Sequence, residues 1–176
     1  MASLCEAYLD IETTGLSWRS SAITVVGLYL VTDEESYLLQ LVDRAITRES
    51  LTAALNGVNT VYTYNGTRFD LPFIRSALGA DIAGLCSHRD LVNDCWKNKL
   101  YGGLKAVENR LGIQRKTEGI TGRDAVKLWR SYQRNGDRKA LDLLLQYNKE
   151  DVINLKLLRE RLAEFSAGFQ GGSDGA

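Results

Sequence analysis

The chain has 176 residues, enough for one domain with a proper core. Its 22 Lys and Arg residues balance its 22 Asp and Glu residues, which excludes binding to polyanions by bulk charge and requires any nucleic-acid contact to come from a local patch. No apolar run approaches membrane-spanning length, and Cys5, Cys86 and Cys95 lack framework spacing; with no leader-like start, the expectation is a protein without a membrane segment, its thiols reduced, in the cytoplasm.

In chain order, "AYLDIE" reads as a first strand, "AITVVGLYLV" as a longer one, and "ESYLLQLV" as its hairpin partner across "TDE". "TRESLTAALNGV" predicts a helix with Thr47 as N-cap, Ser50 not completing a true capping box. "TVYTY" predicts a short strand ending at the turn signal Asn65-Gly66. "FDLPFIRSALGA" predicts a helix with Pro72 in its first turn and Gly79 at its end, and "DIAGLCSHRDL" carries a fifth strand. From about residue 91 onward the apolar spacing is helical, with Gly102-Gly103 and Gly136 as punctuation. The order predicts an α/β domain over residues 1–165, built on a mixed five-stranded sheet with flanking helices, and a flexible Gly/Ser-rich tail over 166–176.

The first strand ends in an unusual way. Side chains two apart on a strand share a face, so Asp10 and Glu12 stand side by side, with Ile11 turned away. Two neighbouring like charges repel, and burial adds to the cost. Asp70 follows the fourth strand, where an acid at a helix N-terminus has an ordinary structural explanation. Tyr147 and Asp151 lie four apart on one helical face beside an apolar stripe; alternatively, Asp151 opens a new helix after a break near Asn148. Lys149 and Glu150 read as solvated charges. Each feature alone is weak, but four carboxylates converging at one end of a sheet would repel by several kcal/mol, on the order of close-pair Coulomb energies. Divalent cations would remove that cost, and all-oxygen ligands select hard ions such as Mg²⁺ or Mn²⁺.

"DIETTGL", "YNGTRFDLPFI" and "YNKEDVINL" resemble the three motifs of the DEDD, or DnaQ-like, 3′–5′ exonucleases, which have a ribonuclease-H-like fold. Tyr147 in the third motif is similar to the proofreading domains of family B DNA polymerases, and the later helices look closer still to the YprB-like ribonuclease-H-like branch. The His that marks the other subclass would stand at Gln146, and the only His is His88, read as a partly exposed loop-end residue. The resemblance implies three antiparallel strands continued by two parallel ones. It implies two divalent cations held by Asp10, Glu12, Asp70 and Asp151, with Asp10 bridging, and Tyr147 orienting the attacking water. Thr13, Thr14, Leu16, Asn65 and Phe69 match positions that meet the substrate strand, although Leu16 and Phe69 read equally well as core. Asp90 matches a supporting position beside the site.

The implied function is metal-dependent hydrolysis of single-stranded DNA or RNA from the 3′ end. A helicase or polymerase is the partner class to expect if the domain works in a larger assembly. The alternatives are a ribonuclease-H-like endonuclease, and a non-catalytic nucleic-acid-binding module, whose signature would be a lost ligand. Arg123, Lys127 and Arg130 form one basic helical face. Such a face can hold phosphates, but charge runs are more often plain solvated surface.

Overall fold

The structure, a computed structural model, describes the backbone of residues 5–170 and the side chains of residues 5–164. Strands β1 (Cys5–Thr13), β2 (Ile23–Thr32) and β3 (Ser36–Val42) form an antiparallel meander. Helix α1 (Arg48–Ala54) leads to β4 (Thr60–Thr63), which pairs parallel with β1. Helices α2 (Asp70–Leu78) and α3 (Ile82–Leu85) lead to β5 (Ser87–Asp90), parallel to β4. The sheet order is β3-β2-β1-β4-β5, as the expected mixture of three antiparallel and two parallel strands requires. Four helices follow: α4 (Leu91–Lys97), α5 (Leu104–Arg110), α6 (Gly122–Asn135) and α7 (Arg138–Gln170).

Period-2 alternation on β1 divides the core. Ala7, Leu9 and Ile11 face α1 and α2 and pack with Leu28, Phe73 and Ile74. Tyr8 faces the other way, toward Leu91, Val107, Leu155 and Leu158 on the later helices. Asp10 and Glu12 continue the Tyr8 face, so the acids point to the side that α7 covers. The ladder from β1 to β4 ends at Tyr8–Tyr62, and β1 carries an irregularity between Glu12 and Thr13. The acids therefore occupy the end of β1 that outruns its parallel neighbour, where an α/β sheet opens a crevice.

Three expectations are corrected. Ser50 does complete a capping box: its Oγ accepts from the Thr47 N–H at 3.0 Å, while Thr47 Oγ1 accepts from the Ser50 N–H at 3.1 Å, because a hydroxyl can take the place of the longer carboxylate. Helix α7 runs without a break through Asn148, so Tyr147 and Asp151 share a face. It also reaches Gln170, five residues into the stretch expected to be tail; residues 171–176 lie outside the described residues. No described helix is long and apolar enough to cross a membrane.

Candidate active site

Asp10, Glu12 and Asp151 each offer a carboxylate oxygen, and these oxygens lie within 4.8 Å of one another. Asp10 is half-buried; Glu12 and Asp151 are buried. Burial raises the Asp10 pKa well above the usual carboxylate range, and Asp151, Glu12 and Asp70 add repulsion. Glu12 is raised in the same way, by burial and then by Asp151 and Asp70, against the pull of Lys105 and Arg115. Burial pushes Asp151 up to about 6, with Arg115 opposing. The site is thus short of positive charge at neutral pH, and its donors are hard oxygens that fit divalent cations such as Mg²⁺ or Mn²⁺.

Asp70 stands beside this trio rather than within it. It opens α2, is buried, and its Oδ1 accepts from the Ile11 N–H at 3.1 Å. That bond ties α2 to the peptide between the two β1 acids. Burial pushes Asp70 up to about 7, although the Ile11 hydrogen bond favours its charged form. Asp90 holds the preceding turn: its carboxylate accepts from the N–H groups of Asn65 at 2.6 Å, Thr67 at 2.9 Å and Val92 at 3.3 Å. Asn65 adopts φ 60°, a left-handed conformation that Asn tolerates, so it has a local structural reason as well. His88 Nε2 meets Thr63 Oγ1 at 2.9 Å in the neighbouring strand.

Sequence reading missed the cations nearest the acids. Arg115, on the loop after α5, donates to Asp151 and, at 2.5 and 2.9 Å, to both oxygens of Glu108. Glu108 is fully buried and also accepts from Asn154 at 2.9 Å. A signal was present: Glu108 follows Leu104 by four residues on the apolar side of α5, and a charge there requires a partner. Lys105 sits with its Nζ 4.3 Å from the Tyr147 ring centroid and donates to the Ile120 carbonyl.

Glu150 is also corrected: it is buried, not solvated. It accepts from Thr117 Oγ1 at 2.6 Å, from the N–H groups of Thr117 and Lys116 at 3.0 and 3.2 Å, and from Gln146 at 2.7 Å. It thereby pins to α7 the loop that carries Arg115. Asn148, fully buried, donates to Asp10 Oδ2 at 3.1 Å and accepts from Gln40 at 2.9 Å.

A cleft of about 950 Å³ opens over the acids. Thr13, Thr14, Leu16, Phe69 and Tyr147 line it; Asn65 does not. Leu16 is 88% exposed at its mouth and so is not core. Phe69 is half-buried, its ring 5.0 Å from that of Phe73. The far wall is α6, with Arg123, Lys127 and Arg130.

A family model of the RNase_H superfamily matches residues 7–163. Among solved structures, the chain is similar to the family B DNA polymerase of the hyperthermophilic archaeon Pyrobaculum calidifontis, at 15% identity and a TM-score of 0.61 over 86% of this chain. It covers 24% of that polymerase, about a quarter of its length. It is also similar to a nuclease solved in its apo form, at 20% identity and a TM-score of 0.57, covering 90% of this chain and 72% of that one. At these identities the likeness is one of fold. No curated protein sequence matches the chain.

Proposed function

The chain belongs to the RNase_H superfamily, and from that premise we propose that it is a metal-dependent 3′–5′ exonuclease acting on single-stranded DNA or RNA. The observation that carries this reading is the meeting of Asp10, Glu12 and Asp151 within 4.8 Å at the open end of β1. An arrangement so costly in repulsion has a purpose if it holds cations. The order and placement of the three motifs support exonuclease chemistry, and a cleft walled by Leu16 and Phe69 suits unpaired bases.

Asp10, Glu12 and Asp151 would hold the cations, with Asp70 completing the set from the α2 side. Cations held there would activate a water as nucleophile and offset charge on the leaving oxygen. Asn148 fixes the Asp10 carboxylate, and Asp90 fixes the turn that delivers Asp70. Burial raises the Tyr147 pKa further above neutrality, and the three acids add to this. Its hydroxyl therefore stays protonated and can orient a water by donating to it, but cannot act as a general base.

The test is degradation of single-stranded DNA and RNA, each labelled separately at either end, in Mn²⁺ or EDTA, with Asp10→Ala as control. Metal-dependent release of mononucleotides from the 3′ end, absent in the variant, is the expected result. Internal fragments would replace this reading with an endonuclease, and no cleavage of any strand would replace it with a binding module.

A further inference from the structure

The far wall of the cleft has a charge pattern that the carboxylate chemistry does not use. Helix α6 packs inward through Ala125 and Trp129. On its cleft side it presents Arg123, Lys127 and Arg130, at spacings of four and three. Seven residues of helix rise about 10 Å, so the three cations form a short row rather than a point. Facing three carboxylates across one cleft, they would be expected to pair with them. They do not. Asp151 is bound by Arg115 and Asp10 by Asn148. Lys127 pairs only with Asp124 on its own helix, at 2.9 Å, and remains largely exposed. Arg123 and Arg130 make no ion pair among the described residues and are exposed to the cleft. Two guanidinium forks with no acceptor, in a chain of zero net charge, are available to phosphate oxygens.

We propose that the cleft face of α6 is a phosphate track: Arg123, Lys127 and Arg130 hold the sugar-phosphate backbone of a single strand on the 5′ side of the bond placed over the acids. This rests on the exonuclease reading and extends it by assigning the residues that supply affinity. A polyanion approaching three carboxylates is repelled, and a row of cations on the opposite wall offsets that repulsion and aligns the strand along α6. Contacts to phosphate carry no base information, so the track serves any sequence, while Leu16 and Phe69 meet the bases.

The experiment measures binding of labelled oligothymidylate and oligouridylate, about a dozen nucleotides long, in EDTA so that no cleavage occurs, as a function of salt. The wild type is compared with Arg123→Ala/Lys127→Ala/Arg130→Ala and with a charge-matched control, Arg44→Ala/Arg48→Ala/Arg110→Ala, whose residues lie outside the cleft. A second variant, Arg123→Gln/Arg130→Gln, leaves the Lys127–Asp124 pair intact should the triple change disturb folding. Removing one cation from a phosphate should flatten the slope of log affinity against log salt by about 0.7, so the slope of the triple variant falls by about 2 and that of the double variant by about 1.4. The control should keep the wild-type slope.

Equal slopes for wild type and α6 variants, with wild-type cleavage intact, would overturn the track and leave the exonuclease standing. An equal loss in the control would assign the effect to net charge and overturn the track as well. Absence of both binding and cleavage in the wild type would overturn both readings.

Discussion

Asn148 lies against Gly27. A Cβ on that glycine would stand 2.8 Å from Cγ of Asn148 and closer still to its Oδ1. The register explains the arrangement. Asp10, Gly27 and Gln40 form a row across β1, β2 and β3, and the missing side chain in the middle lets Asn148 descend from α7 to bridge the outer two. Here the glycine provides space, not a special backbone conformation.

Gly27→Ala should therefore push Asn148 out of its seat. The expected cost is about 1–3 kcal/mol of overpacking. Activity should fall about 10- to 100-fold, as when a metal ligand is deprived of the group that orients it. Denaturant unfolding and nuclease rates measure the two effects. An alanine variant with unchanged rate would mean that Asn148 does not orient Asp10.

Arg115 is buried between Glu108 and Asp151, with side-chain exposure of 7% against 1% and 8%. Arg115→Met leaves Glu108 without its cation in the interior, and should destabilise by about 3–5 kcal/mol. Adding Glu108→Met removes the orphaned charge and should recover much of that loss. A double variant no more stable than the single one would show that the pair is not the unit.

The acids also set a pH dependence. Asp70 and Asp151 have pKa values of about 7 and about 6, raised from 3.8. Between about pH 4 and pH 7 the folded chain therefore holds protons that the unfolded chain has released, so this contribution to stability falls as pH rises. In EDTA, the melting temperature at about pH 8 should lie below that at about pH 5 as far as these groups decide it. Mn²⁺ or Mg²⁺ should raise it more at pH 8, where the carboxylates are ionised and the ligand binds the native state. An equal shift at both pH values, or none at millimolar metal, would remove the metal from the site.

Asp151→Asn separates fold from chemistry. The amide keeps an oxygen that can accept from Arg115, so the loop anchor persists. It loses the anionic donor, so activity should drop by more than the roughly 100-fold expected for an outer supporting group. Circular dichroism and the end-labelled degradation assay read the two outcomes. A fully active variant would end the assignment of Asp151 as a ligand.

Local chemistry was legible where it depends on neighbours in the chain. Period-2 alternation placed Asp10 and Glu12 on one face, helical spacing placed Tyr147 beside Asp151, and the turn at Asn65-Gly66 ended β4. The three-plus-two sheet followed from the order of elements and the motif resemblance. Glu108 announced only that it needed a partner; that Arg115 is the partner, and the roles of Glu150 and Asn148, were not legible, because each depends on a residue that only folding brings near. Glu150 reads as solvated from its neighbours, yet it is buried under a loop 33 residues earlier in the chain. Leu16 reads equally well from the sequence as core or as a residue that meets substrate, and only the structure places it, exposed, at the cleft mouth. The sequence by itself determined which carboxylates share a face, since that follows from backbone periodicity. Only the tertiary structure decided which cations, amides and walls surround them, because long-range contacts depend on how the helices settle on the sheet, and spacing along the chain does not encode that.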